Sequence, residues 1–160
     1  MHIRDETADD RPAIHALVTE AFGRRDEADL VDALRDAGDI ALSLVAEDGD
    51  KVVGHVVLSR LISLERALAL APVAVLPSKQ RRGIGAALIS SAIARATALG
   101  SEIVFVVGEP GYYTRFGFSA ETAAPFPCTY AGPYFMALAL TEASPSPGPV
   151  VYARAFDDLV

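Results

Sequence analysis

Between Ile40 and Leu76 three strand-like runs follow one another almost without a break: IALSLVAE, KVVGHVVLSR and ALALAPVAVLP. Nothing else in the chain constrains the fold as strongly, because consecutive strands joined by short connections commonly pair as neighbours. Asp-Gly-Asp separates the first two, which is the turn chemistry of a hairpin. The third is predicted to run from about Leu68 to Leu76 and carries Pro72 inside it.

On either side of this block the apolar period becomes that of helices. MHIRDET opens as a short strand. DDRPAIHALVTEAF then reads as a helix, with Asp9 or Asp10 as N-cap and Pro12 in the first turn. Ile14, Leu17, Val18 and Ala21 share one face, and Gly23 stops it. DEADLVDALRDAG is a second helix, with Leu30, Val31 and Leu34 inward and Gly38 past its end. Further on, AALISSAIARATAL groups Leu88, Ile89, Ala92, Ile93, Ala96 and Leu99 before Gly100. EIVFVV is a buried strand, PGYYTRF a turn with a short helix, and YFMALAL a late strand that completes a core or lines a dimer. TEASPSPGP reads as a loop, and the tail VVYARAFDDLV is apolar enough to dock back. The order βααβββαβαβ predicts an α/β fold of the α+β type, with a mixed, mostly antiparallel central sheet and flanking helices. A single domain is expected over residues 1–160, with its core up to about 140 and a loop plus C-terminal extension over 141–160.

The charge balance narrows the partners. Fourteen basic residues face 21 acidic ones, for a net charge of −7. A duplex-binding face needs basic residues to neutralise phosphates, so nucleic acid is not expected as a partner. A protonated amine suits the acidity better. Cys128 is the single cysteine, which excludes an internal disulfide, and His2, His15 and His55 lack metal-ligand spacing, so no metal is expected. Met1 leads into HIRDETADDR with no apolar leader region, and the longest apolar stretch is too short to span a bilayer. A cytoplasmic protein without membrane contact is the expectation.

Against this acidic background, Lys79-Gln80-Arg81-Arg82-Gly83-Ile84-Gly85-Ala86 stands out. The first amides of a helix have no intrahelical partner and carry the positive end of its dipole. Glycines there let an anion reach those amides, and Arg81 and Arg82 add charge nearby, which is the chemistry a pyrophosphate needs. A Walker A loop is excluded by the missing Gly-Lys-Ser/Thr, and a dinucleotide fingerprint by Leu88. A simple glycine-containing helix start with solvated arginines stays open on these residues alone.

The surrounding sequence supplies more. LAPVAVLPSKQRRGIGAALI resembles the acyl-CoA-binding motif of the GNAT superfamily of N-acetyltransferases, with Gln80, Gly83 and Gly85 in the Gln/Arg-x-x-Gly-x-Gly/Ala positions. YYTRFGF further along is similar to the superfamily's Tyr-x-x-x-Gly-Phe, with Tyr113, Gly117 and Phe118. GEPGYYTRFGF resembles a bacterial branch of predicted N-acetyltransferases that carry a C-terminal extension. The resemblance implies a sheet whose strands 4 and 5 splay apart, and Pro72, lacking an N–H for a ladder, offers a reason for the splay. It implies acetyl-CoA as co-substrate, held by backbone groups of Val73, Ala74 and Val75 and by the amides of Arg81, Arg82, Gly83, Ile84, Gly85 and Ala86. It implies Tyr113 as proton donor to the leaving thiolate, with Tyr112 as the neighbour lacking the right offset, and an amine as acceptor attacking the thioester directly. Many relatives carry a glutamate in the strand after the binding helix. Here that strand reads IVFVV, with Glu109 just beyond it and His55 on the preceding hairpin. An acyl-CoA-binding protein without turnover is the alternative that this missing base suggests. The resemblance implies an acceptor slot shaped by the first two helices and the late strands, including FPCTYAGPYF, where Phe126, Tyr130, Tyr134 and Phe135 read either as an apolar wall or as ordinary strand and loop aromatics.

Overall fold

A computed structural model describes residues 1–142 and 145–159. Ala143 and Ser144 of the expected loop, and Val160 of the tail, lie outside the described residues. Among the described residues six strands form one sheet in sequence order: β1 (His2–Asp5), β2 (Ile40–Asp48), β3 (Lys51–Arg60), β4 (Ala67–Val75), β5 (Ile103–Val107) and β6 (Phe135–Ala139). All neighbours are antiparallel except β4 and β5, which run parallel around a helical crossover. In the hairpin, Asp48 pairs with Lys51, so Gly49 and Asp50 make a two-residue turn.

Side chains alternate across a strand, and the sheet uses both faces. Val45, Val57 and Phe105 join one core, with α1 (Arg11–Phe22) and α2 (Asp26–Asp36) over it. Their neighbours Leu44, Val56 and Val104 join the other, under α3 (Ile84–Ala98). Strands covered on both sides need no polar face, which is why they read as near-continuous apolar runs. The helix α3 buries Leu88, Ile89, Ala92 and Ala96, and each fully buried Leu or Ile is worth about 1.5–3 kcal/mol. It lies so close to β3 that a Cβ on Gly54 would stand 2.8 Å from Leu88 Cδ1.

Asp10 is the N-cap of α1, as the sequence predicts, but its carboxylate accepts from Arg4 Nη1 at 2.7 Å and from the Thr7 amide at 2.7 Å and not from the helix. The end of α3 differs from expectation. Leu99 is 61% exposed, because α3 ends at Ala98. There the Gly100 amide donates to Thr97 and the Ser101 amide to Ala96, a Schellman turn that swings Leu99 outward.

The tail docks. Val150, Tyr152, Ala153 and Phe156 are buried in the core beneath α2, and the Ile62 amide donates to the Val151 carbonyl at 2.8 Å. In β6, Phe135, Met136 and Ala137 are buried, so this half of the late strand completes the core. Among the described residues no helix is long and apolar enough to cross a membrane.

Candidate active site

The strands β4 and β5 pair only over Ala67–Ala69 and Ile103–Phe105, although β4 continues to Val75 and β5 to Val107. Beyond Ala69 they diverge. Pro72 lies where the β3–β4 register slips: Val56 faces Val73 and Leu58 faces Leu70, so Ala71 and Pro72 together oppose Val57. Past this bulge the Leu76 amide donates to Val53. Alternation along an antiparallel pair then turns the backbone groups of Ala74 toward β3, and those of Val73 and Val75 toward the open side. The Val75 carbonyl is taken by the Gln80 side chain, whose Nε2 donates to it at 3.1 Å. That bond folds the basic knuckle back over the end of β4.

The knuckle enters α3 through two left-handed residues, Arg81 at φ +64° and Gly83 at φ +81°. Glycine tolerates this geometry, whereas arginine bears a cost of roughly 1–2 kcal/mol in it. The Ala87 amide donates to the Gly83 carbonyl as the first turn of the helix closes. The amides of Ile84, Gly85 and Ala86 precede that bond and have no intrahelical acceptor.

These parts line one groove of about 580 Å³. Val73 and Val75 form its floor, and Arg81, Gly83, Ile84, Gly85 and Ala86 form one wall together with Lys79 and Gln80. The opposite wall is Tyr112 and Arg115. Of the expected site residues, Ala74, Arg82 and Tyr113 do not line it. Tyr112 and Arg115 were not singled out as ligand-facing by motif position. Their i, i+3 spacing is the signal for a shared face, here on the short helix α4 (Pro110–Tyr113) and the 3-10 turn after it, Thr114–Phe116. The Tyr112 phenol reaches across the groove, since a Cβ on Gly85 would stand 3.3 Å from its oxygen.

Tyr113 sits next to that lining, held by its ring contacts. Its ring packs edge-on to Phe118, with centroids 5.9 Å apart, and against Gly108, where a Cβ would come within 2.3 Å of Cε2. Burial, and to a lesser degree the neighbouring Tyr112, pushes the Tyr113 phenol up to about 12, so it stays protonated across the physiological range.

Neither base candidate faces the groove. Glu109 is exposed at the start of α4. His55 is 0% exposed, and its Nε2 lies 2.7 Å from Ser43 Oγ. The Ser43 hydroxyl donates to Glu6 Oε1, which makes His55 the donor to Ser43 and leaves its Nδ1 without a partner among the described residues. Arg35 donates twice to Glu6, from Nε and Nη2, both at 3.0 Å. Burial would raise the Glu6 carboxyl, but its bonds from His55, Arg35 and Ser43 outweigh that and hold it at about 2. Burial lowers His55 and keeps it neutral.

The candidate acceptor wall divides. Phe126 and Phe135 pack on Phe105 in the core, with centroids 5.1 and 5.4 Å from it, while Tyr130 and Tyr134 are exposed. His15 meets two carboxylates that its sequence spacing did not announce. Its Nε2 lies 3.2 Å from Asp29 and 3.6 Å from Asp32, both already paired with arginines.

Known proteins match this architecture. The family model of the acetyltransferase (GNAT) domain covers residues 2–120. The uncharacterized N-acetyltransferase YjhQ of Escherichia coli is 37% identical over 144 residues, spanning 83% of this chain and 75% of that protein. The crystal structure of the GNAT family N-acetyltransferase YhbS from Escherichia coli in complex with CoA superposes with a TM-score of 0.92 at 29% identity, over 99% of this chain and 93% of that one. A GNAT family acetyltransferase from Brucella melitensis in complex with acetyl-CoA gives 0.84 at 35% identity, over 98% and 97%. With sequence and backbone in agreement over most of its length, the chain belongs to the GNAT superfamily of N-acetyltransferases.

Proposed function

We propose that this chain transfers the acetyl group of acetyl-CoA to a primary amine by direct attack within a ternary complex. The observation that carries the reading is the single groove running from the open-side backbone of Val73 and the Val75 amide to the amides of Ile84, Gly85 and Ala86, which have no intrahelical acceptor. Its two ends match the two halves of coenzyme A. Extended strand backbone suits the amides of pantetheine, and a helix N-terminus flanked by Arg81 suits the pyrophosphate. Relatives with the same backbone hold CoA and acetyl-CoA.

In this reading the Val73 amide faces the thioester oxygen and polarises the carbonyl. Ala74 contributes by fixing β4 on β3, and Arg82 by its charge near the knuckle. Tyr113 gives its proton to the departing thiolate, and the proton that the attacking nitrogen loses on forming the amide returns to the tyrosinate through solvent. A free thiol has a pKa near 8.5, and the desolvation that raises Tyr113 raises a thiolate beside it as well. The strand β5 offers no carboxylate to the amine. A lysine-like amine is neutral in only about 1 part in 2,500 at pH 7, so the acceptor has to arrive as its free base.

The test is thiol release from acetyl-CoA across a panel of small amines and peptide amines, with the native protein and Tyr113→Phe. Turnover with at least one amine, a kcat lowered about 100-fold in the variant, and unchanged acetyl-CoA affinity are expected, as for loss of a general acid. Binding without release for any amine would make the chain an acyl-CoA binder. Full kcat in Tyr113→Phe would remove the tyrosine from the chemistry.

A further inference from the structure

On the groove wall opposite the knuckle, the Arg115 guanidinium lies over the Tyr112 ring, 4.6 Å from its centroid, and 5.6 Å from the Phe116 centroid. Its Nε donates to the Tyr112 carbonyl at 3.4 Å. Among the described residues, its two terminal nitrogens have neither a hydrogen-bond acceptor nor a carboxylate. Arg4, Arg35 and Arg95 hold carboxylates, and in the groove itself Lys79 lies 3.6 Å from Asp48. Arg115 is therefore a cation held in place by stacking, with its donor fork free and facing a ligand groove.

The knuckle already supplies a pyrophosphate with three helix amides and Arg81. The Tyr112 phenol reaches Gly85, whereas Arg115 sits over the ring face on the far wall. A guanidinium fork matches phosphate oxygens two at a time, and coenzyme A carries one more phosphate, the dianion on its ribose 3′-oxygen. Resting on the proposed use of acetyl-CoA, we infer that Arg115, stacked on Tyr112, binds this 3′-phosphate and makes the protein select coenzyme A over thioesters that lack it. No covalent step is involved, and the residue acts on recognition alone.

The experiment compares acetyl-CoA with acetyl-3′-dephospho-CoA by calorimetry, in the native protein, Arg115→Gln and Arg115→Lys. Because Arg115 is exposed, both variants are expected to fold as the native chain does. The native protein should prefer acetyl-CoA by at least about tenfold, the scale of a hydrogen bond to a charged group. In Arg115→Gln the affinity for acetyl-CoA should fall by that factor, while affinity for the dephospho form stays within about twofold. Arg115→Lys, keeping charge without the fork, should retain part of the preference. Equal losses for both ligands would assign Arg115 to the pyrophosphate and overturn the inference, as would a native protein indifferent to the 3′-phosphate or a variant with its preference intact. Native protein that binds neither ligand would instead overturn the coenzyme A reading of the groove, and this inference with it.

Discussion

Tyr112 and Tyr113 are chemically identical and adjacent, yet one lines the groove and the other is held beside it by ring contacts. A helical step of about 100° per residue separates them, and Gly108 accommodates the second. Gly108→Ala would drive a methyl into the Tyr113 ring, 2.3 Å from Cε2, so the ring must move. We expect kcat to fall at least about tenfold, with the dissociation constant for acetyl-CoA changed less than about threefold. Steady-state kinetics beside calorimetry separates the two, and unchanged kcat would show that the position of the ring does not matter. The same residue sets a pH dependence. Tyr113 must be protonated to donate, and with its phenol pushed up to about 12 that form persists through pH 10. With the acceptor arriving as free base, kcat/KM is expected to rise with pH from 7 toward the pKa of the amine. No descending limb is expected below pH 10. A bell with a maximum near 8 would rule out so high a value.

At the scale of elements, the site exists because β4 leaves β5 after Ala69 while α3 is pinned to β3. The first three strands have their own fastening. Glu6 beyond β1, Arg35 on α2, Ser43 on β2 and His55 on β3 form one hydrogen-bonded chain. Its two groups with lowered values, Glu6 and His55, both titrate lower folded than unfolded, so the fold loses stability as pH falls. His55 begins to cost stability below about pH 6.5, where the unfolded imidazole gains a proton that the buried one refuses. Glu6, held at about 2 against a reference of 4.5, contributes about 3 kcal/mol that disappears between those values. The thermal midpoint should therefore fall in two stages between pH 7 and 2. His55→Gln is expected to flatten the upper stage. Glu6→Gln should make the lower one shallower, with Asp10, held down by Arg4, keeping part of it. Melting curves at half-unit pH intervals decide this, and a Glu6→Gln profile parallel to the native one would contradict it.

Over the whole molecule, a net charge of −7 coexists with a cationic groove because the knuckle confines its charge to a few residues beside the ligand. The tail also belongs to the main body. Phe156 is buried against α2 and meets Tyr152 edge-on, with centroids 5.1 Å apart. Truncating a buried Phe to Ala costs about 3–5 kcal/mol, so Phe156→Ala should lower the urea midpoint with little change in the slope. A loss under 1 kcal/mol would mean that the tail lies on the surface only.

Local order was legible without coordinates. Strand and helix periods, the Asp-Gly-Asp hairpin, the glycines at helix ends and the glycine-spaced helix start are all decided within a few residues, and backbone sterics read them directly. They carried the mixed sheet, the knuckle and the superfamily resemblance. What the sequence could not settle depends on direction in space. Whether Tyr112 or Tyr113 meets the groove, whether Ala74 or its neighbours offer free backbone, and which way Leu99 turns are set by single rotations of the chain. Phe126 reads equally as part of an acceptor wall or as an ordinary aromatic, and packing puts it in the core, while Arg115 gained its place only when Tyr112 stacked beneath it. A pattern records how often apolar residues recur, whereas a site needs side chains from distant segments to converge, and only packing decides where they meet.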